Sequence, residues 1–271
     1  MSDLDFSEIH DELREVARDA LGREEHGGAV TWELAAELGW LSLEIPEELG
    51  GSGATFAETA VVLEQIARAT APCAYLGTTV LGVGALLAIE AGERLDALLG
   101  EVAGGSTRVA AAFAPDGNSG VATPAFVLRD DLLDGAARFV ADAGVADRLL
   151  FLATAGDSHV VVSVSAGDVT VVPEPVLDES RNLASIVAQG VAVDPVDVWH
   201  LGGDPVTASQ NVLDRGVVAL AIDAMGLTAE MLDQTVAYVS VRQQFDRPIG
   251  SFQAVKHQCA DVLVDIHVGR E

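Results

Sequence analysis

From Val206 to Val241 the chain runs without a proline, and apolar residues return at helical spacing: Val212, Leu213, Val217, Leu220, Ala224, Leu227 and Met231. That spacing predicts one long helix, frayed at Gly216 or Gly226. Gly202-Gly203-Asp204-Pro205 precedes it. Pro248 and Gly250 form a turn into a last helix that starts at Ser251 or Phe252 and runs to the end. A pair of helices with so long an apolar face rarely stands alone. The face needs cover from more helices, supplied by further chain or by a partner.

The rest of the chain divides by period. Ile9, Leu13, Val16, Ala20 and Leu21 recur at helical spacing after Asp5 and Glu8, and Thr31 to Leu41 gives a shorter helix. A loop dense in Pro and Gly follows, from Ile45 to Gly53. Thr55 and Glu58 then form a capping-box signature, with Phe56, Ala60, Leu63 and Ala67 on one face behind it. Val80–Ile89 and Arg94–Leu99 read as further helices. Near Ser106 the pattern changes to short, Val-rich runs: 109–113, 125–129, 132–134, 138–140, 149–153, 159–164, 169–172 and 186–193. Their spacing predicts an antiparallel barrel or sandwich, with hairpin turns at Asp130-Asp131 and Ala166-Gly167. The fold class is α+β. An N-terminal helical domain covers 1–105, a middle β-domain 106–203, and the start of a C-terminal helical domain 204–271, present as its first two helices.

Composition removes several function classes. Lys and Arg number 15 against 42 Asp and Glu, a formal net charge of −27, and Lys256 is the one lysine. Nucleic-acid binding needs clustered basic residues to release counterions, so it is excluded, and so is an anionic membrane surface. The charge-free run between Arg68 and Glu90 contains Pro72, Gly77, Gly82 and Gly84 and reads as core helix rather than a membrane span. Cys73 and Cys259 belong to no CxxC pair or metal-ligand cluster. They read as free thiols of a reducing compartment, and no metal is expected. The N-terminus has neither a basic n-region nor an apolar h-region, so the expected location is the cytoplasm. Any anionic ligand then needs a local basic pocket. The scarce positive charge gathers around the corner after the long helix, at Arg242, Arg247, Lys256 and His257.

That corner, RQQFDRPIGSFQAVKHQCADV, resembles the Arg-x-x-Phe-x-x-Pro-Ile-x-x-Phe-Gln motif of the acyl-CoA dehydrogenase family. The stretch Gly39–Arg68, GWLSLEIPEELGGSGATFAETAVVLEQIAR, resembles the same family's N-terminal helical segment, and the order helices, strands, helices matches as well. The resemblance implies an FAD enzyme that oxidises an acyl-CoA thioester to the 2,3-enoyl-CoA. A carboxylate removes the α-proton while the β-hydrogen leaves as hydride to the flavin, and electron-transfer flavoprotein is the implied acceptor. It also implies that Arg242, Phe245 and Gln253 contact the FAD of a neighbouring subunit near its pyrophosphate and adenine. The chemistry agrees: an arginine fork pairs phosphate oxygens, a phenyl ring walls a base, and a primary amide both donates and accepts. The plain alternative for Arg242 is a cation favoured by the helix C-terminus. Arg247 and Lys256 read as solvated charge.

Three positions depart from the family pattern. Its Thr-Glu-Pro…Gly-Ser-Asp signature appears here as Ala112–Gly120, with Ala114 in place of the threonine and Ser119 as the nearby hydroxyl. Its Trp-Ile-Thr/Ser strand beside the flavin appears as Phe139-Val140-Ala141. Phe139 keeps a ring for packing, but the indole N–H and the hydroxyl are gone, unless this is a plain barrel strand. The commonest catalytic glutamate of the family lies on helices beyond the last residue, Glu271. Some relatives carry the base early on the long helix, just before an arginine. Here that position is Asp214, followed by Arg215, and Asp214 is the candidate base; the alternative is a surface acid. The expected partners are an acyl-CoA substrate and a related chain in a homo- or hetero-oligomer, as in heteromeric actinobacterial members. Two other roles stay open. One is a non-catalytic scaffold subunit that completes a partner's FAD site. The other is a relative of the flavin monooxygenase or nitroalkane-oxidising type, which shares the fold.

Overall fold

The computed structural model describes residues 3–22, 30–114, 120–178 and 180–270. Helices α1 (Asp3–Leu21), α2 (Trp32–Glu37), α3 (Phe56–Arg68), α4 (Gly84–Leu87) and α5 (Glu93–Ala103) precede the strands. Glu58 reaches back to the backbone N–H of Thr55 at 2.8 Å, and Ala57 N–H donates to the Thr55 hydroxyl, so the signature read from the sequence starts α3. Tyr75–Val83 is a π-helical stretch leading into α4, where periodicity predicts one α-helix over 80–89. Among the described residues no helix is long and apolar enough to cross a membrane.

Strands β1 (Val109–Ala112), β2 (Phe126–Arg129), β3 (Leu132–Ala141), β4 (Arg148–Ala155), β5 (Ser158–Ser165), β6 (Thr170–Pro173), β7 (Leu183–Ala192) and β8 (Val198–His200) form one eight-stranded sheet. Its order is β6-β7-β3-β2-β4-β5-β8, with β1 on β4. Most pairings are antiparallel; β4 is parallel to both β1 and β2. Asp130 and Asp131 adopt φ of 50° and 60°, the geometry of a type I′ hairpin turn between β2 and β3. Ala166-Gly167 is not a hairpin turn: β5 pairs with β4 and β8, whereas β6 pairs with β7. The runs 132–134 and 138–140 are one strand, because bulges absorb the break in alternation between them. β8 is too short to show a period.

Two compact units emerge from the contacts, and both are discontinuous in sequence. One contains Ala29–Thr59 and Pro72–Ala219, the other Met1–Gly28, Ala60–Ala71 and Leu220–Glu271. The first unit holds two apolar clusters. One joins Ile45, Leu86 and Leu99 to Leu150 and Val161, and the other lies around Phe126 and Phe151, whose ring centroids are 4.4 Å apart. In the second unit Arg68 on α3 pairs with Asp233 at 2.6 Å and Glu230 at 3.3 Å, and Arg270 pairs with Glu64.

Helix α6 (Pro205–Val241) runs unbroken, so neither glycine frays it. A Cβ at Gly226 would stand 2.6 Å from the Glu64 carbonyl oxygen, and one at Gly216 would stand 2.8 Å from a Leu81 methyl. Both glycines are points of close approach. The face of α6 that turns inward carries small residues, among them Ala208, Gly216, Ala219, Gly226 and Ala229. On the same helix Val212 is buried, but Val217, Leu220, Leu227 and Met231, further along, are exposed. A Gly226→Ala substitution should therefore destabilise by about 1–3 kcal/mol despite the gain in helix propensity. Gly216→Ala should be close to neutral, because its obstacle is the flexible end of a leucine; urea unfolding of the two variants checks the difference.

Candidate functional site

The N-terminal third of α6 is pinned by Arg215. Its guanidinium makes a two-pronged pair with Glu44, the Nη1 arm at 2.7 Å, while Nε donates to the Val80 carbonyl at 2.7 Å. The cation lies 4.2 Å from the centroid of the Phe56 ring, and the Thr59 hydroxyl donates to the same Glu44 carboxylate at 2.6 Å. Both partners are largely covered, so each charge is compensated where water is scarce. Asp214, one residue earlier, is exposed, and its Oδ1 accepts from the Gln210 side-chain amide at 2.7 Å. Gln210 also bonds the backbone of Gly120 and Ala122. The structure thus brings Asp214 and the end of the Ala112–Gly120 segment onto one side chain. Ala114 is half-buried, and Ser119 lies outside the described residues.

Phe139 sits where β3 carries an extra residue, with Arg138 and Phe139 together opposite Ser185 of β7. Its φ is +56°, an outlier for a bulky side chain, and the ring is 36% exposed. Arg138 lies 4.8 Å over that ring and is held by Glu174 through two bonds of 2.9 and 3.2 Å. A bulge re-aims a side chain at a point where a regular strand would alternate it away. Ala141 ends the strand, half-buried. Next to it Asp142 is 5% exposed at φ +58° and accepts the Gly77 N–H at 2.6 Å, which ties the sheet to the π-helical stretch. Burial raises the Asp142 carboxyl to about 6, with the Gly77 bond and Arg181 acting against it. Cys73 and Cys259 are free and half-buried rather than fully buried, and desolvation pushes the Cys73 thiol up to about 12. Asp142 and Cys73 share the lining of a cavity of about 360 Å³ with Arg108 and Asn182.

In the other unit, α6 ends at Val241. Strands β9 (Gln243–Gln244) and β10 (Arg247–Pro248) pair across Phe245 and Asp246, whose φ values are +54° and +61°. The reversal is thus a type I′ turn at Phe245-Asp246, ahead of the Pro248–Gly250 turn expected from the sequence. Phe245 is 85% exposed. Phe252 meets it edge-on with ring centroids 6.2 Å apart, and the Arg247 guanidinium lies 4.1 Å over Phe252. Arg242 continues the helix through its N–H to the Tyr238 carbonyl, and its own carbonyl accepts from Ile249 N–H at 2.8 Å. Its guanidinium has no ionic partner among the described residues. Gln253 opens α7 (Gln253–Arg270), exposed. The corner therefore presents a cation without an ionic partner among the described residues, an exposed ring and an exposed amide.

The family model for the acyl-CoA dehydrogenase N-terminal domain matches residues 7–104, and the one for the C-terminal domain matches residues 206–271. Acyl-CoA dehydrogenase FadE28 of Mycobacterium tuberculosis is 33% identical over 235 residues, covering 87% of this chain and 67% of that protein. The chain belongs to the acyl-CoA dehydrogenase family. Acyl-CoA dehydrogenase IpdE2 of Mycolicibacterium smegmatis is 33% identical over 241 residues, 88% of this chain and 63% of that relative's length. A solved structure described as "Tcur3481-Tcur3483 steroid ACAD G363A variant" superposes with a TM-score of 0.81 at 26% identity, covering 96% of this chain and 74% of that one.

Within this chain, three site features were not read from the sequence. The Glu44–Arg215 pair spans 171 positions, and the Gly77–Asp142 bond spans 65. The Gln210–Asp214 bond alone has a local signal, since an amide and a carboxylate four apart on a helix are neighbours.

Asp142 yields a pH test. Its folded-state value of about 6 lies above the ordinary 3.8, so the folded chain holds the proton longer than the unfolded one. Its contribution to stability is greatest below 3.8 and is lost as pH rises through about 6. Asp142→Asn keeps an acceptor for the Gly77 N–H and removes the titration. Denaturation midpoints taken from pH 4 to 7 should lose this slope, on the order of 2–3 kcal/mol, in the variant.

Proposed function

We propose that this chain is a subunit of an FAD-dependent acyl-CoA dehydrogenase, oxidising an acyl-CoA thioester to the 2,3-enoyl-CoA in a homo- or hetero-oligomer with a related chain. The carrying observation is the corner at Arg242–Gln253. A phenylalanine held at positive φ with its ring 85% in water is favourable for a monomer neither in backbone nor in solvation. It is accounted for if the ring meets a ligand or partner. Arg242, which has no ionic partner among the described residues, suits a pyrophosphate, and Gln253 suits the edge of an adenine. Exposed Leu227, Met231, Leu263 and Val264 on α6 and α7 support an assembly that covers them.

FAD supplies the hydride acceptor for the β-hydrogen when bound, and electron-transfer flavoprotein is the proposed recipient of the electrons. The residues of this chain do the rest. Asp214 takes the α-proton on Oδ2, the oxygen that no described residue bonds. Phe139, turned out by its bulge, would pack on the flavin ring, with the backbone around Ala141 beside it. Holding the acyl chain between base and cofactor makes both transfers effectively intramolecular. Free thiols at Cys73 and Cys259 suit a cytoplasmic setting.

A scaffold subunit that completes a partner's FAD site is the second reading. It is favoured by Ala114 and by Phe139-Val140-Ala141, none of which offers a side-chain donor to the flavin. Two variants separate the readings. Arg242→Ala should weaken FAD retention at least tenfold more than Arg247→Ala, read from the visible flavin spectrum after gel filtration; equal losses would remove the phosphate assignment. Asp214→Asn should abolish acyl-CoA oxidation and leave the flavin bound, whereas unchanged turnover in that variant would place the base outside this segment, on a related chain or on further sequence.

A further inference from the structure

Gln210 makes three hydrogen bonds with one amide group. Its Oε1 accepts the Ala122 N–H at 2.9 Å, and its Nε2 donates to the Gly120 carbonyl at 3.1 Å and to Asp214 Oδ1 at 2.7 Å. The partners fix which end of the amide is which. A backbone N–H can only donate, and a carbonyl and a carboxylate oxygen can only accept. Glutamate at this position could not donate to Gly120 and would set a second negative charge against Asp214. Lysine could not accept from Ala122. The arrangement therefore needs a neutral side chain that donates and accepts at once.

We infer that Gln210 is a positioning residue of the oxidation, a clamp that sets the 120–122 segment and the Asp214 carboxylate in one register. The inference rests on the reading of Asp214 as the base. Gln210 and Asp214 are one turn apart on α6, whereas Gly120 is 90 positions away in sequence. That segment closes the stretch beside which the flavin is proposed to lie. Occupying Oδ1 with an amide proton fixes the rotation of the carboxylate, so Oδ2, which no described residue bonds, is the oxygen presented to a substrate. Arg215 holds the helix beneath, through Glu44 and the Val80 carbonyl. Base and flavin-side loop thus move together, and a misplacement of about 1 Å between reacting groups costs roughly 100-fold in rate.

The clamp is read first without turnover. Hydrogen exchange at the Ala122 amide, followed in the flavin-free and the flavin-loaded chain, should quicken at least tenfold in Gln210→Leu. It should stay within about twofold of wild type in Asp214→Asn, which leaves the Ala122 arm intact. With its flavin, Gln210→Glu is isosteric and should lower kcat at least tenfold while KM for the acyl-CoA stays within about threefold; a merely structural role would move melting temperature and KM instead. Unchanged exchange at Ala122 in Gln210→Leu overturns the clamp. Wild-type kcat in Gln210→Glu overturns its catalytic part. Wild-type turnover in Asp214→Asn overturns the base reading on which that part rests, and the exchange result does not depend on it.

Discussion

A guanidinium cannot be taken out of water without an anion to meet it, and in this chain Glu44 meets Arg215. That pair sets where α6 begins its course through the first unit. Because the Arg215 fork is planar and Glu44 receives both prongs, the helix cannot rotate about its axis without breaking two charged bonds. The bond from Nε to the Val80 carbonyl and the stacking on Phe56 add the π-helical stretch and the start of α3 to the same anchor. Asp214 and Gln210, on the turns beside it, inherit that rigidity. The surface carboxylate proposed as the base is thus carried by a charged pair that is covered.

Phe139, Asp142 and Phe245, with Asp246 beside it, hold positive φ where the chemistry is proposed or next to it. Each is over-determined by neighbours. The bulge opposite Ser185 and the Arg138–Glu174 pair hold Phe139, and the Gly77 N–H holds Asp142. The two-residue hairpin with Phe252 and Arg247 holds Phe245. Strain of this kind persists only where the surroundings enforce it. Here it turns two aromatic rings outward, one at the sheet and one at the helix corner.

Much of the fold was legible because local spacing reports local geometry. The Thr55–Glu58 signature marked the start of α3, and the Asp130-Asp131 pair marked a hairpin. The Val-rich runs located most strands of the sheet. Reading failed where period carries no information. β8 is three residues long, the π-helical stretch shares its apolar composition with an α-helix, and Ala166-Gly167 has turn chemistry without the pairing that a hairpin needs. Of the candidate site, Asp214, Arg242, Phe245, Gln253, Phe139 and Ala141 were named from motif positions. Their partners were not, apart from the amide one turn before Asp214.

The sequence by itself determined that this chain alternates helix, strand and helix, that α6 is long, and that an Arg-x-x-Phe corner follows it. Backbone sterics and side-chain period decide those things over a few residues. Only the tertiary structure decided which face of α6 turns inward. Of the apolar residues at helical spacing, Val212 is buried and Leu213 packs against the core, whereas Val217, Leu220, Leu227 and Met231 stay exposed and glycines and alanines make the close approaches. It also decided which anion neutralises Arg215 and which loop Gln210 holds. Burial and pairing are settled by residues that lie 90 and 171 positions away, and no window along the chain contains them.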